Sequence, residues 1–205
     1  MAIDEVGLRE RKKERTRQTL ADVAAALFDR QGFQDTTIKQ IADAADVSPR
    51  TVSAYFPVKE ELVFCDHGDV FDQLEQRLEE RPAGTKTVET LRAWLMEMLE
   101  NVDLDLEQSR RTRELIESDP ALRTYERGLQ ERAEEMVARA VAVDLGVSPD
   151  ELVPHMVGAA TIAALDAMGR HAKDPETGDF QATARPVIDD AMAFIGGGVQ
   201  ALADR

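Results

Sequence analysis

The chain has a single cysteine, Cys65, in 205 residues, which excludes an internal disulfide and suits a reducing compartment. Aromatic residues are few, at 5%, and no stretch alternates apolar and polar side chains at period two, so no sheet is expected. Long hydrophobic runs are missing as well. The longest, Met156 to Leu165, is too short to span a bilayer, and the opening Met1 to Arg17 is too polar for a secretory leader. With 43% hydrophobic and 32% charged residues, the composition is that of a globular cytoplasmic protein with no membrane partner. Ala, Leu, Glu and Arg abound, which favours helix.

Motifs for chemistry are equally scarce. There is no phosphate-binding glycine loop, no HExxH and no nucleophile motif, and His67, His155 and His171 have no catalytic partner spacing. Cys65-Asp66-His67, with Asp69 and Asp72, suggests a metal only at first sight. Neighbours on a helix do not share a face, and no second His or Cys pair completes the set. Neither an enzyme, nor a metal, nor a cofactor is expected.

The net charge is −15, yet its distribution matters more than its sum. Ten Lys/Arg balance ten Asp/Glu up to Glu60, and the remainder holds 15 against 30. Within the neutral segment, Arg9, Arg11, Lys12, Lys13, Arg15 and Arg17 form a basic cluster. Phosphate affinity depends on local cations and the counterions they release, so an acidic body does not exclude nucleic acid. The same cluster also reads as a solvated helix end.

The first helix is expected over 11–30, with Leu20, Val23, Ala24, Leu27 and Phe28 on one stripe and Gly32 as its stop. The stretch that organises the chain follows: Thr36 to Lys59, TTIKQIADAADVSPRTVSAYFPVK. Thr37 and Gln40 have capping-box spacing, and Ile38, Ile41, Ala42 and Ala45 share a face. Asp46 occupies a turn that needs the left-handed region. Ser48 then reads as an N-cap and Pro49 as the first residue of a second short helix, which cannot pass Pro57. Val52 and Phe56 would face inward, leaving Arg50, Ser53 and Ala54 outward. Two short helices joined so tightly form a helix-turn-helix, whose second helix enters a DNA major groove.

At these residues, extended by Lys59-Glu60-Glu61-Leu62, the chain resembles the DNA-binding segment of the TetR (tetracycline-repressor) family of bacterial transcription regulators. The features that carry it are Thr36-Thr37, Ile41-Ala42, Ala45, Val47-Ser48, Thr51, Tyr55-Phe56 and, upstream, Leu27-Phe28 and Gly32-Phe33, over residues 10–64. Asp46 stands where that family usually has Gly, and Ser53-Ala54 replace bulkier residues. Position assigns Pro49, Arg50 and Ser53 to base edges, Arg50 foremost because its planar fork fits guanine O6 and N7. Thr37, Ser48, Thr51, Tyr55 and Lys59 suit phosphates, and the resemblance supports Thr37, Tyr55 and Lys59 especially. Arg11, Lys12 and Arg15 would reach phosphates or a minor groove. Tyr55 also reads as a half-buried aromatic under the first helix.

Punctuation by Pro and Gly divides the remainder into helices over 59–80, 86–100, 107–117, 120–145, 150–172 and 182–203. Ser148-Pro149-Asp150-Glu151 marks one start, and Gly196–Gly198 would interrupt or end the last helix. The expected fold is all-α with nine helices, the number the resemblance implies. A DNA-binding domain would cover 1–58, and an effector-binding and dimerisation domain 59–205. The resemblance further implies a homodimer through the last two helices, where small residues from Gly158 to Gly169 permit close approach. Burial within the same chain is the alternative. It also implies a small-molecule effector enclosed by helices four to eight, with Phe64, His67, Phe71, Trp94, Met98, Tyr125 and Met156 as candidates, each of which also reads as plain core. Together these readings describe a ligand-responsive regulator, a repressor on a palindromic double-stranded operator. An all-α enzyme or a helical ligand-binding protein with a vestigial DNA module is the alternative.

Overall fold

The computed structural model describes the backbone of residues 2–101, 106–171 and 180–204, and the side chains of 11–65, 70–100, 107–167 and 184–204. Among the described residues there are no strands. The α-helices are α1 (Ala2–Gln31), α2 (Ile38–Ala44), α3 (Pro49–Tyr55), α4 (Cys65–Glu79), α5 (Thr87–Asn101), α6 (Leu106–Ser118), α7 (Pro120–Leu145), α8 (Leu152–His171) and α9 (Phe180–Ala203). A short 3-10 turn, Lys59–Leu62, precedes α4. The chain divides into two compact units. The N-terminal unit is Met1–Asp69 with Arg111–Tyr125, and the C-terminal unit is Val70–Arg110 with Glu126–Arg205.

In the N-terminal unit, α2 packs on both α1 and α3; α1 buries Leu20, Ala24, Leu27 and Phe28, α2 buries Ile41 and Ala42, α3 buries Val52, and Phe33 and Phe56 are buried beside them. Gly32 ends α1 in the left-handed region, φ +83°, where its N–H donates to Phe28 O at 2.8 Å. The compact unit is larger than residues 1–58. The unit runs into α4 and takes in the corner between α6 and α7, because Arg111 pairs with Asp29 and Asp119 with Gln34. Such contacts join residues more than eighty positions apart and leave no local pattern.

In the C-terminal unit α9 packs on α5 and α8. Ile188, Met192, Ile195 and Val199 recur at helical spacing and bury against Leu91 and Leu95 of α5 and Val157 of α8. Inside, Arg81 and Asp144 form an ion pair at 3.2 Å, with side chains only 11% and 5% exposed. The pair is embedded in further bonds, since Arg81 also donates to the carbonyls of Leu78, Thr85 and Ala140, and Asp144 accepts the Thr87 N–H that starts α5. Further pairs on the outside, Arg77–Glu97 and Arg132–Asp72 among them, are exposed and contribute little each.

Several boundaries differ from expectation. Helix α1 starts at Ala2, nine residues before the expected start at Arg11. Helix α4 starts at Cys65, because 59–62 form the 3-10 turn. Ser148–Glu151 closes on itself as a turn, with Ser148 N–H on Glu151 Oε1 and Asp150 N–H on Ser148 Oγ, so α8 begins at Leu152. Gly196–Gly198 neither interrupt nor end α9, which runs on to Ala203. Gly196 faces Val88 of α5, and Gly197 and Gly198 are exposed. Burial on neighbouring turns holds the helix through them at a propensity cost of roughly 1 kcal/mol per glycine.

One glycine is required by close approach. A Cβ on Gly158 would lie 2.5 Å from the backbone carbonyl oxygen of Glu134 on α7. The carbonyl belongs to a helix and cannot swing away. Gly158→Ala should therefore lower the unfolding free energy by about 1–3 kcal/mol in chemical denaturation, and an unchanged midpoint would refute the close crossing of α7 and α8.

Candidate nucleic-acid interface

The loop from Gly32 to Thr37 sets the start of α2. Thr36 is 1% exposed, and its hydroxyl donates to Gly32 O at 2.7 Å. Thr37 caps α2 reciprocally: its hydroxyl accepts from Gln40 N–H at 3.2 Å, and Gln40 Oε1 accepts from Thr37 N–H at 2.8 Å. Asp46 makes the turn at φ +55°, and Val47 N–H returns to Ala42 O. Ser48 caps α3 by accepting from Thr51 N–H at 3.0 Å, with Pro49 in the first turn. Phe56 leaves the helix in extended geometry ahead of Pro57.

On α3, Val52 is wholly buried and Phe56 is 1% exposed, so the opposite face is fixed outward. That face carries Arg50, Ser53 and Ala54, all exposed, behind exposed Ser48 and Pro49; Thr51 and Tyr55 flank it half-buried. Arg11, Lys12, Lys13 and Arg15 are exposed on α1, and Thr37 is exposed at the head of α2. Lys39, exposed on α2, is a further cation there that sequence reasoning passed over. Its position off the Ile38–Ile41–Ala42 stripe is the signal that would have found it.

Two basic residues turn inward. Arg17, a member of the sequence cluster, donates to Cys65 O at 2.8 Å and Tyr55 O at 3.4 Å, and its guanidinium lies 4.8 Å from the centre of the Phe56 ring. Lys59, expected at a phosphate, instead donates to Phe33 O at 2.7 Å and Thr36 O at 3.0 Å, over the Phe33 ring. With two of three N–H donors so held, its main work is to fasten the α1–α2 loop. Gln34 of that loop donates to Asp119 Oδ2 at 2.7 Å, while Asp119 Oδ1 accepts from Ala121 and Leu122 N–H and caps α7. Burial pushes the Asp119 carboxyl up, but hydrogen bonds from Gln34, Leu122 and Ala121, with Lys59 nearby, outweigh it and hold the group below the ordinary aspartate range.

Comparison with known proteins agrees with this geometry. The family described as bacterial regulatory proteins, tetR family, matches residues 20–64, and the one described as MftR C-terminal domain matches 85–200. The HTH-type transcriptional regulator TcmR of Streptomyces glaucescens is 34% identical over 173 residues, covering 80% of this chain and 74% of TcmR. The chain belongs to the TetR family. It is accordingly a transcriptional regulator with an N-terminal helix-turn-helix, and its relatives are regulators, not enzymes. Its fold is shared by SmeT of Stenotrophomonas maltophilia, solved in a triclosan complex, at TM-score 0.60 and 24% identity over 87% of this chain and 90% of that one. The same holds for Thermus thermophilus FadR, a TetR-family repressor in complex with lauroyl-CoA, at TM-score 0.56 and 22% identity over 87% and 92%.

The effector candidates of this TetR-family chain are divided between the two units. Phe64 is buried, and its ring lies 5.3 Å from that of Tyr125 inside the N-terminal unit. Phe71 and Met98 are half-buried against the C-terminal core, and Trp94 belongs to that core. Met156 is 59% exposed on α8, so it does not line an enclosed cavity of that unit. The side chain of His67 lies outside the described residues. A cavity of about 480 Å³ does occur in the C-terminal unit, between the end of α4, the 82–86 loop and α7, and none of the six described candidates lines it. No described helix is long and apolar enough to cross a membrane.

The lowered Asp119 pKa links pH to stability. Its contribution is complete above the ordinary aspartate value and is lost as pH falls through the lowered folded value. Asp119→Asn should flatten the acid limb of the denaturation midpoint plotted against pH, and an identical limb in both proteins would refute the linkage.

Proposed function

We propose that this regulator is a ligand-responsive repressor that binds a palindromic operator as a homodimer and is released by a small-molecule effector. The observation that carries the reading is the outward face of α3, where Arg50 stands among small residues above a fully buried Val52. Small neighbours let the helix backbone approach base pairs closely. Arg50 would pair with a guanine, Pro49 and Ser53 would meet base edges, and the Ala54 methyl suits a thymine methyl. Arg11, Lys12, Arg15 and Lys39, with Thr37, Ser48, Thr51 and Tyr55, would position the unit on phosphates. The site is cytoplasmic, where operator DNA is.

Dimerisation through α8 and α9 is supported by what they leave uncovered. Leu152, Met156, Ala159, Ala160 and Ala163 are exposed on α8; Ala193, Phe194, Gly197, Gly198 and Ala201 are exposed on α9. Leu152 and Phe194 are 72% and 73% exposed. Apolar side chains of that size seldom stay wet as a patch, and the small residues between them would admit a partner helix closely. A symmetric partner supplies the second reading helix that a half-site operator needs.

The triclosan and lauroyl-CoA complexes of proteins with this fold favour an apolar effector here also. Phe71, Trp94 and Met98 of the C-terminal unit are the side chains we assign to it. Helix α4, which continues from one unit into the other, is the natural lever. An effector that prefers one conformation by ~1–3 kcal/mol would change operator affinity roughly 5- to 150-fold.

Duplexes selected by the purified protein from a random pool supply the probe. Arg50→Ala should weaken binding by about 1–3 kcal/mol and relax discrimination at one base pair; unchanged specificity would refute its role. Phe194→Glu should give a monomer in analytical ultracentrifugation with native circular dichroism, and a persistent dimer would remove α9 from the interface.

A further inference from the structure

Beyond the local bonds from Gln31 to Asp35 O and Thr36 Oγ1, the α1–α2 loop is fastened by two more distant groups. Lys59 holds its carbonyls at Phe33 and Thr36. The other tie comes from Asp119, 85 residues away, whose Oδ2 accepts from Gln34 Nε2 at 2.7 Å. Gln34 itself is exposed, so this bond does nothing for the apolar core. Asp119 is 6% exposed and already fixed by its cap on α7, which makes it an anchor and leaves Gln34 as the part that is located by it. Two residues beyond Gln34 lies buried Thr36, and next to it Thr37, the N-cap of α2. Helix α2 in turn places α3 through the Asp46 turn.

We infer that Gln34 and Asp119 are a pair of positioning residues for operator binding: their hydrogen bond sets the α1–α2 loop, and through it the pose of α2 and α3 on DNA. Neither residue touches DNA in this scheme. The inference rests on the reading of the chain as an operator-binding protein. It gives the α6–α7 corner a direct hold on the helix-turn-helix, separate from the chain connection through α4. A change in the register of the first turn of α7 would be passed to the loop by the same carboxylate.

The geometry allows a test by exchange of polarity. Gln34→Ala removes the donor, and Gln34→Glu sets two carboxylates against each other. Asp119→Asn keeps the α7 cap, since an amide oxygen also accepts from Ala121 and Leu122 N–H. Combined with Gln34→Glu, it restores the bond with donor and acceptor reversed, at the net charge of the native chain. The measurement is fluorescence anisotropy of a labelled duplex selected by the native protein from a random pool, with active fractions fixed by stoichiometric titration. Gln34→Ala and Gln34→Glu should each weaken binding about threefold to tenfold, and Gln34→Glu/Asp119→Asn should return to within about twofold of native. The neutral Gln34→Ala excludes simple charge repulsion from DNA as the cause. Binding by Gln34→Glu equal to native, or a double variant no better than Gln34→Glu, would overturn the inference alone. A native protein that enriches no duplex would overturn the operator-binding reading and this inference together.

Discussion

Complete burial of Val52 and near-complete burial of Phe56 is the constraint from which the interface follows. Helix α3 has seven residues, and a helix so short has no stability of its own in water. It persists because one face is removed from solvent as it packs on α2 and because Ser48 satisfies its first turn. Once Val52 points in, helical periodicity leaves Arg50 and Ala54 no direction but out. The reading face is thus the complement of a packing decision.

Polar groups then fix what burial leaves free. Apolar contact is non-directional and would let a two-turn helix slide or tilt. Hydrogen bonds are directional, and the unit uses Arg17 and Lys59 on backbone carbonyls and Gln34 on the Asp119 carboxylate. Arg17 grips the end of α3 and the start of α4; Lys59 and the Gln34–Asp119 pair grip the loop before α2. Arg17 and Lys59 also sit over the Phe56 and Phe33 rings, so each cation exchanges water for carbonyls and a π face. Arg11, Lys12, Lys13, Arg15 and Arg30 of α1 stay exposed.

Local devices were legible in the sequence. The Thr37–Gln40 box, the Ser48-Pro49 cap, the Asp46 turn and the Gly32 stop each involve residues within four positions of one another, and each is in place. The misplaced boundaries have a common origin. Lys59–Leu62 has helical composition but is pulled into a 3-10 turn while Lys59 reaches back to the α1–α2 loop. Ser148–Glu151 has every mark of a helix start, yet its side chains bond one another and the helix waits until Leu152. Gly196–Gly198 looks like a stop, and burial of Ile195 and Val199 on either side carries α9 through it.

By itself the sequence determined an all-helical chain, the position of its helix-turn-helix and the side of α3 that faces out, because caps and helical periodicity act over one or two turns. Only the tertiary structure decided which basic residues remain at the surface and which become fasteners, and that the α6–α7 corner belongs with the helix-turn-helix. Those outcomes depend on hydrogen bonds between residues 23 to 85 positions apart. Whether a lysine meets a carbonyl or water is settled by where the rest of the chain arrives.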